Sequence, residues 1–118
     1  MNKKYKAIIQ LTSADTQVHK STIRQINNLL NSLTGTVQVR IICHGASSDF
    51  CKLKGNQYID QIMELLAQEV EMVACLNMLE ANQLKLHDLI PGITVIPSGI
   101  ADLVVKQQEG WSYVKAGF

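Results

Sequence analysis

Apolar and β-branched residues fall into five short runs separated by four segments of helical spacing, the pattern of an α/β domain built on a largely parallel sheet. The first run, Tyr5 to Leu11, reads as a strand, and the polar turn after it, Thr12-Ser13-Ala14-Asp15-Thr16, holds several candidate N-caps. Ile23, Ile26, Leu29, Leu30 and Leu33 then recur at helical intervals, and Gly35 supplies the stop. Val37 to Cys43 is a second strand, β-branched at Val37, Val39, Ile41 and Ile42, and it closes on His44-Gly45. Ala46 to Gln57 shows no periodicity. At about a dozen residues it is long for a connection in a small domain, and such loops are often mobile or functional. Tyr58, Ile59, Ile62, Met63, Leu65 and Leu66 mark a second helix with one apolar face.

A third strand starts at Val70 and ends at Cys75. Asn77-Met78-Leu79-Glu80 has the spacing of a capping box, which predicts a helix starting two residues past the thiol. Leu79, Gln83, Leu84 and Leu86 carry that helix towards Asp88, before the turn at Pro91-Gly92. Ile93 to Ile96 is the fourth strand, halted by Pro97. Ser98 caps the last helix, with Ile100, Leu103, Val104 and Gln107 on one side and Gly110 just past its end. Trp111 to Lys115 is a fifth strand whose direction the pattern leaves open. The expected fold is one five-stranded, mainly parallel sheet with helices on both faces.

Length and charge narrow the function. The 118 residues suit one domain with a real core. With 11 Lys and Arg against 10 Asp and Glu, the net charge is +1 and the positive residues are scattered, so phosphate neutralisation of a nucleic acid has little to work with. Lys3, Lys4 and Lys6 form the one basic cluster and read as a solvated N-terminal segment. That segment, from Met1 to Gln10, lacks a signal-peptide apolar region, and no run approaches the roughly 18 apolar residues of a membrane span. A cytoplasmic protein with no membrane segment is expected.

Cys43, Cys51 and Cys75 contain no CxxC pair, which argues for reduced thiols and against a disulfide framework or a zinc knuckle. His19, His44 and His87 have no metal-binding spacing, so no metal is expected. Cys43 and His44 are adjacent and point to opposite faces of a strand.

In an open parallel sheet, ligands bind beyond the carboxyl ends of the strands. Here that rim gathers Thr12 and Ser13, His44 and Gly45, Cys75 and Asn77, and Ser98 and Gly99. Cys75 is its sharpest chemical feature: a thiol between a strand and a helix start faces the positive end of the helix dipole, which favours thiolate. The competing reading is a small buried hydrophobe. Backbone donors at the helix starts near Asn77 and Ser98 suit an anion or a persulfide, and His44 is the one histidine at the rim. Neither a P-loop nor a GxGxxG fingerprint is present, so nucleotide binding is not supported. Asn77 is better explained as a helix cap and His44 as a backbone-bonded strand end, and Trp111 and Tyr113 are most simply core or subunit-contact residues on one strand face.

The tail from Ile96-Pro97-Ser98-Gly99 to Gln107-Gln108-Glu109-Gly110-Trp111 resembles the DsrE/DsrF-like family, also called the YchN-like fold. Asn27-Asn28-Leu29-Leu30, Val39 to His44-Gly45, and Cys75-Leu76-Asn77 fit the same family in the same order. The chain departs from it at Ala46-Ser47-Ser48, where relatives often carry proline-glycine, and at Met78, where threonine is frequent. The resemblance implies a three-layer α/β/α sandwich, assembly into homo-trimers or hexamers, and sulfur relay, in which a strand-three cysteine accepts a persulfide sulfur from a donor protein and passes it to an acceptor. Cys75 matches that cysteine, and such a transfer needs no organic cofactor. A different class of function fits the same rim: a non-enzymatic, oligomeric binding module for a small anion or a partner protein.

Overall fold

The computed structural model describes residues 3–117, so the Met1-Asn2 beginning of the N-terminal segment lies outside the described residues. Strands β1 (Tyr5–Leu11), β2 (Val37–Cys43), β3 (Glu71–Cys75), β4 (Thr94–Ile96) and β5 (Ser112–Lys115) form one sheet in the order β4-β3-β2-β1-β5. Every strand pair in it is parallel, β5 included, running alongside β1. Helices α1 (Thr16–Ser32), α2 (Ile59–Ala67), α3 (Leu76–Ala81) and α4 (Gly99–Gln108) make the connections. The expected five-stranded α/β architecture is therefore present.

The connections decide which face each helix covers. From β1 to β4 the chain steps outwards one strand at a time, and α1, α2 and α3 pack on one face: Ile23, Ile26, Ile62, Leu65, Met78 and Leu79 join Ile9, Leu11, Val39, Ile41 and Met72 in the larger core. After β4 the chain must return across the whole sheet to reach β5 beside β1. Successive parallel crossovers share one hand, so a reversal of direction puts α4 on the opposite face. Leu103 of α4 there meets Ile8, Ile42, Val73 and Trp111 in a smaller core. β2 is buried on both faces, with Ile41, Ile42 and Cys43 fully inaccessible, as a central parallel strand should be.

Local chemistry sets the helix ends. Asp15 caps α1 by accepting from the Gln17 N–H at 2.8 Å, and Ser98 caps α4 by accepting from the Ala101 N–H at 3.1 Å. α4 is also clamped to the sheet by a two-pronged ion pair, Arg40 Nε and Nη2 to Asp102 Oδ2 and Oδ1 at 2.9 and 2.8 Å.

Two sequence expectations need correction. The third helix begins at Leu76, directly after the thiol, and Cys75 itself occupies the N-cap position without a side-chain cap bond. The predicted Asn77–Glu80 capping box does not form, because burial of Met78 and Leu79 against the core requires the chain to turn as soon as Cys75 has paired with Ile96. The helix also ends at Ala81 instead of running towards Asp88: Gln83 adopts a positive φ of 55°, and a separate 3-10 turn spans Leu86–Asp88. The long connection after β2 is a packed plug, with Ser47, Phe50 and Cys51 fully buried and the Asn56 amide donating to the Phe50 and Lys52 carbonyls.

Candidate functional site

Neighbouring strands whose outgoing connections leave on opposite faces open a crevice at their carboxyl ends. Here those strands are β3, which leads to α3, and β4, which leads to α4. Cys75 ends β3 at that switch point and is paired with Ile96, the last residue of β4. Its Sγ accepts a hydrogen bond from the Gly99 N–H, the first of α4, at 3.4 Å. The first N–H groups of a helix have no intrahelical acceptor, so this one is free to serve the sulfur. Cys75 is only 6% exposed and lies in the floor of a shallow pocket of about 330 Å³.

That pocket is lined by His44, Gly45, Cys75, Asn77, Met78, Ala81, Ser98, Gly99 and Ile100. Six of the rim residues named from the sequence thus come together. Thr12 and Ser13 stand apart from it and shape the turn after β1: the Thr12 carbonyl accepts from the Ala46 N–H at 2.9 Å, and Ser13 Oγ accepts from the Asp15 N–H at 2.9 Å. Gly45 is held at a φ of 65° with its Cα against Thr12, where a Cβ would lie 3.3 Å from the Thr12 Cβ. Glycine is needed differently at position 99, where a Cβ would meet His44 and Ile42 at 3.2 Å.

Alternation along β2 separates its last two reactive side chains as expected. Cys43 points into the larger core beside Cys51; interaction with the Cys51 thiol first, and then burial, push the Cys43 thiol well above its usual range. His44 follows Arg40 and Ile42 on the α4 face, and burial lowers its pKa below the ordinary value, favouring neutral imidazole. His44 Nε2 meets the Gln10 amide at 2.9 Å, and Gln10 in turn accepts from the Tyr113 hydroxyl. Gln10 and Tyr113 support this site through His44; sequence reasoning passed over Gln10, whose position between Ile9 and Leu11 was the available signal, and took Tyr113 as a core or subunit-contact residue. Trp111 is a core residue of the α4 face.

A larger open concavity of about 730 Å³ runs on the other side of α3, along the edge strand β4, and is mostly apolar, with Leu76, Leu84, Leu86 and Val95 among its walls. No group of three or more metal-ligating side chains occurs among the described residues. Among the described residues no helix is long and apolar enough to cross a membrane.

The chain is thus a small, all-parallel α/β/α protein. No family model and no curated protein matches the sequence, but solved structures do. A protein of unknown function, MTH1491 from Methanobacterium thermoautotrophicum, superposes with a TM-score of 0.88 at 26% identity, covering 94% of this chain and 98% of that one. BT1422 of Bacteroides thetaiotaomicron, also of unknown function, gives 0.74 at 24% identity over 93% of each chain. The ychN protein of E. coli gives 0.73 at 15% identity, over 98% and 99%. The chain shares the fold of these proteins, the YchN-like fold that its sequence resemblance led us to expect.

Proposed function

We propose that this is a cytoplasmic sulfur-relay protein that carries sulfane sulfur on Cys75. The observation carrying this reading is the Gly99 N–H directed at Cys75 Sγ in the floor of a pocket at the switch point. The Cys75 thiolate attacks the outer sulfur of a donor persulfide, R–S–SH. The Cys75–S–SH bond forms as the donor S–S bond breaks, and the donor leaves as a thiol after taking up a proton. Transfer to an acceptor thiolate is the same step in reverse sense, so sulfur moves with no net oxidation and no cofactor. The backbone donors of α4 suit the anionic outer sulfur of the persulfide.

Cold cyanolysis after treatment with a small persulfide tests this. The protein should release close to one thiocyanate per chain and Cys75→Ser none; equal release from both overturns it.

A second reading is favoured by the low exposure of Cys75 and by the full burial of Cys43 and Cys51 away from the pocket lining, which leaves no second thiol in the pocket among the described residues. It is a non-enzymatic module binding a small anion or partner protein at the same pocket, and it expects Cys75→Ser to retain the biological effect. For either role we propose a homo-trimer or hexamer. Ile100, Val104 and Val105 on α4 and Tyr113 on the same side of β5 are all more than 40% exposed, apolar surface suited to subunit contact. Sedimentation showing only monomer at micromolar concentration would contradict the assembly.

A further inference from the structure

Three strands place a row of polar side chains on the α4 face. Register partners in a parallel sheet share a face. Tyr113 pairs with Ile8 and Gln10 with Ile42, so Tyr113, Gln10 and His44, two residues beyond Ile42, all project from the side that Ile8 and Ile42 share with α4. The Tyr113 hydroxyl donates to Gln10 Oε1, and the NH2 group of the same amide faces His44 Nε2 at 2.9 Å. An amide N–H only donates, so Nε2 is the acceptor and the single proton of the neutral ring sits on Nδ1. The ring's one lone pair is then engaged, and what His44 has left to offer is a donor. Gly99 packs against the Cβ–Cγ end of His44, where a Cβ on Gly99 would lie 3.2 Å from His44 Cβ and 3.3 Å from Cγ, and His44, Gly99 and Cys75 line one pocket. The Gly99 N–H is itself bonded to Cys75 Sγ.

We propose that Gln10 and Tyr113 are positioning residues that hold His44 as its Nδ1–H tautomer, so that His44 serves the anionic sulfur on Cys75 as a hydrogen-bond donor and not as a base. The sulfur half of this rests on the carrier reading above. Burial of His44, which also favours its neutral form, agrees with the assignment.

Ring-nitrogen NMR of the full chain labelled with 15N-histidine tests the assignment at neutral pH. His44 should show a protonated Nδ1 and an unprotonated Nε2. Gln10→Glu, whose carboxylate only accepts, should move the proton to Nε2, and Tyr113→Phe, which frees the amide to turn, should give a mixture. A wild-type Nε2–H tautomer, or variants with unchanged ring shifts, overturns the assignment. Loading of Cys75 by cysteine persulfide should slow about tenfold in Gln10→Glu, the worth of one charge-assisted hydrogen bond, and several-fold in Tyr113→Phe. Unchanged loading in both overturns the donor role. The expected tautomers with no loading of the wild-type protein overturn the carrier reading and leave the positioning assignment standing; loading with the wrong tautomer overturns the positioning alone.

Discussion

Gly99→Ala inserts one methyl group where α4, His44 and the sheet converge on Cys75. Its Cβ would lie 3.2 Å from Ile42 Cγ2 and from His44 Cβ, and 3.3 Å from His44 Cγ. Carbon atoms prefer a separation of about 3.5–4.0 Å, so something must yield. Ile42 is fully buried in the central strand, and His44 is tethered to Gln10, which leaves the start of α4 as the part that moves. Overpacking of this kind costs about 1–3 kcal/mol, against a gain of up to about 1 kcal/mol from alanine's better helix propensity. The net expectation is a loss of about 1–2 kcal/mol, read as a lower urea midpoint with an unchanged slope. Lifting α4 also lengthens the 3.4 Å contact from the Gly99 N–H to Cys75 Sγ and opens the pocket floor. Alkylation of native Cys75 by iodoacetamide should therefore accelerate about tenfold, each 1.4 kcal/mol of easier opening being worth that factor. A variant as stable as wild type, with unchanged alkylation, would refute the packing account of this position.

Two further outcomes follow from the α4 face. Asp102→Ala should cost about 2 kcal/mol in urea unfolding, because it leaves the part-buried Arg40 guanidinium without its two-pronged partner, while Asp102→Asn should cost less; equal stability of all three proteins would show that the clamp does not hold α4 down. Since burial lowers the folded-state pKa of His44, the unfolded chain binds more protons below about 6.5, so this group's contribution is full above 6.5 and is lost as pH falls through the depressed folded value. His44→Asn should flatten the acid side of the stability curve, and an unchanged slope would contradict the assignment.

Strand positions and the longest helix were legible because their signals are local. The β-branched runs at Val37–Cys43 and the recurrence of Ile23, Ile26 and Leu30 each need only their own neighbours to be read. What was missed depends on distant contacts. Leu84 and Leu86 continue the apolar spacing of α3, yet Leu84 packs on the core from outside the helix and Leu86 is exposed. Phe50 and Cys51 lack periodicity because a plug is shaped by the cavity it fills. The direction of β5 follows from the return crossover of α4, which no local pattern encodes. At the site, Cys75, His44 and Ser98-Gly99 could be placed on one rim because each follows a strand. The link from Tyr113 through Gln10 to His44 spans 103 and 34 residues and exists only once β5 lies beside β1. Thr12 and Ser13 also follow a strand, but β1 lies two strands from the β3/β4 switch point, which is why they fall outside the pocket.

The most direct test of the central claim is peptide-level mass spectrometry of the native protein after exposure to a persulfide donor, with free thiols blocked before digestion. The account predicts a gain of one sulfur atom on the peptide containing Cys75, with Cys43 and Cys51, both fully buried, modified only after unfolding. A Cys75 that stays unmodified while Cys43 or Cys51 gains the sulfur would contradict it.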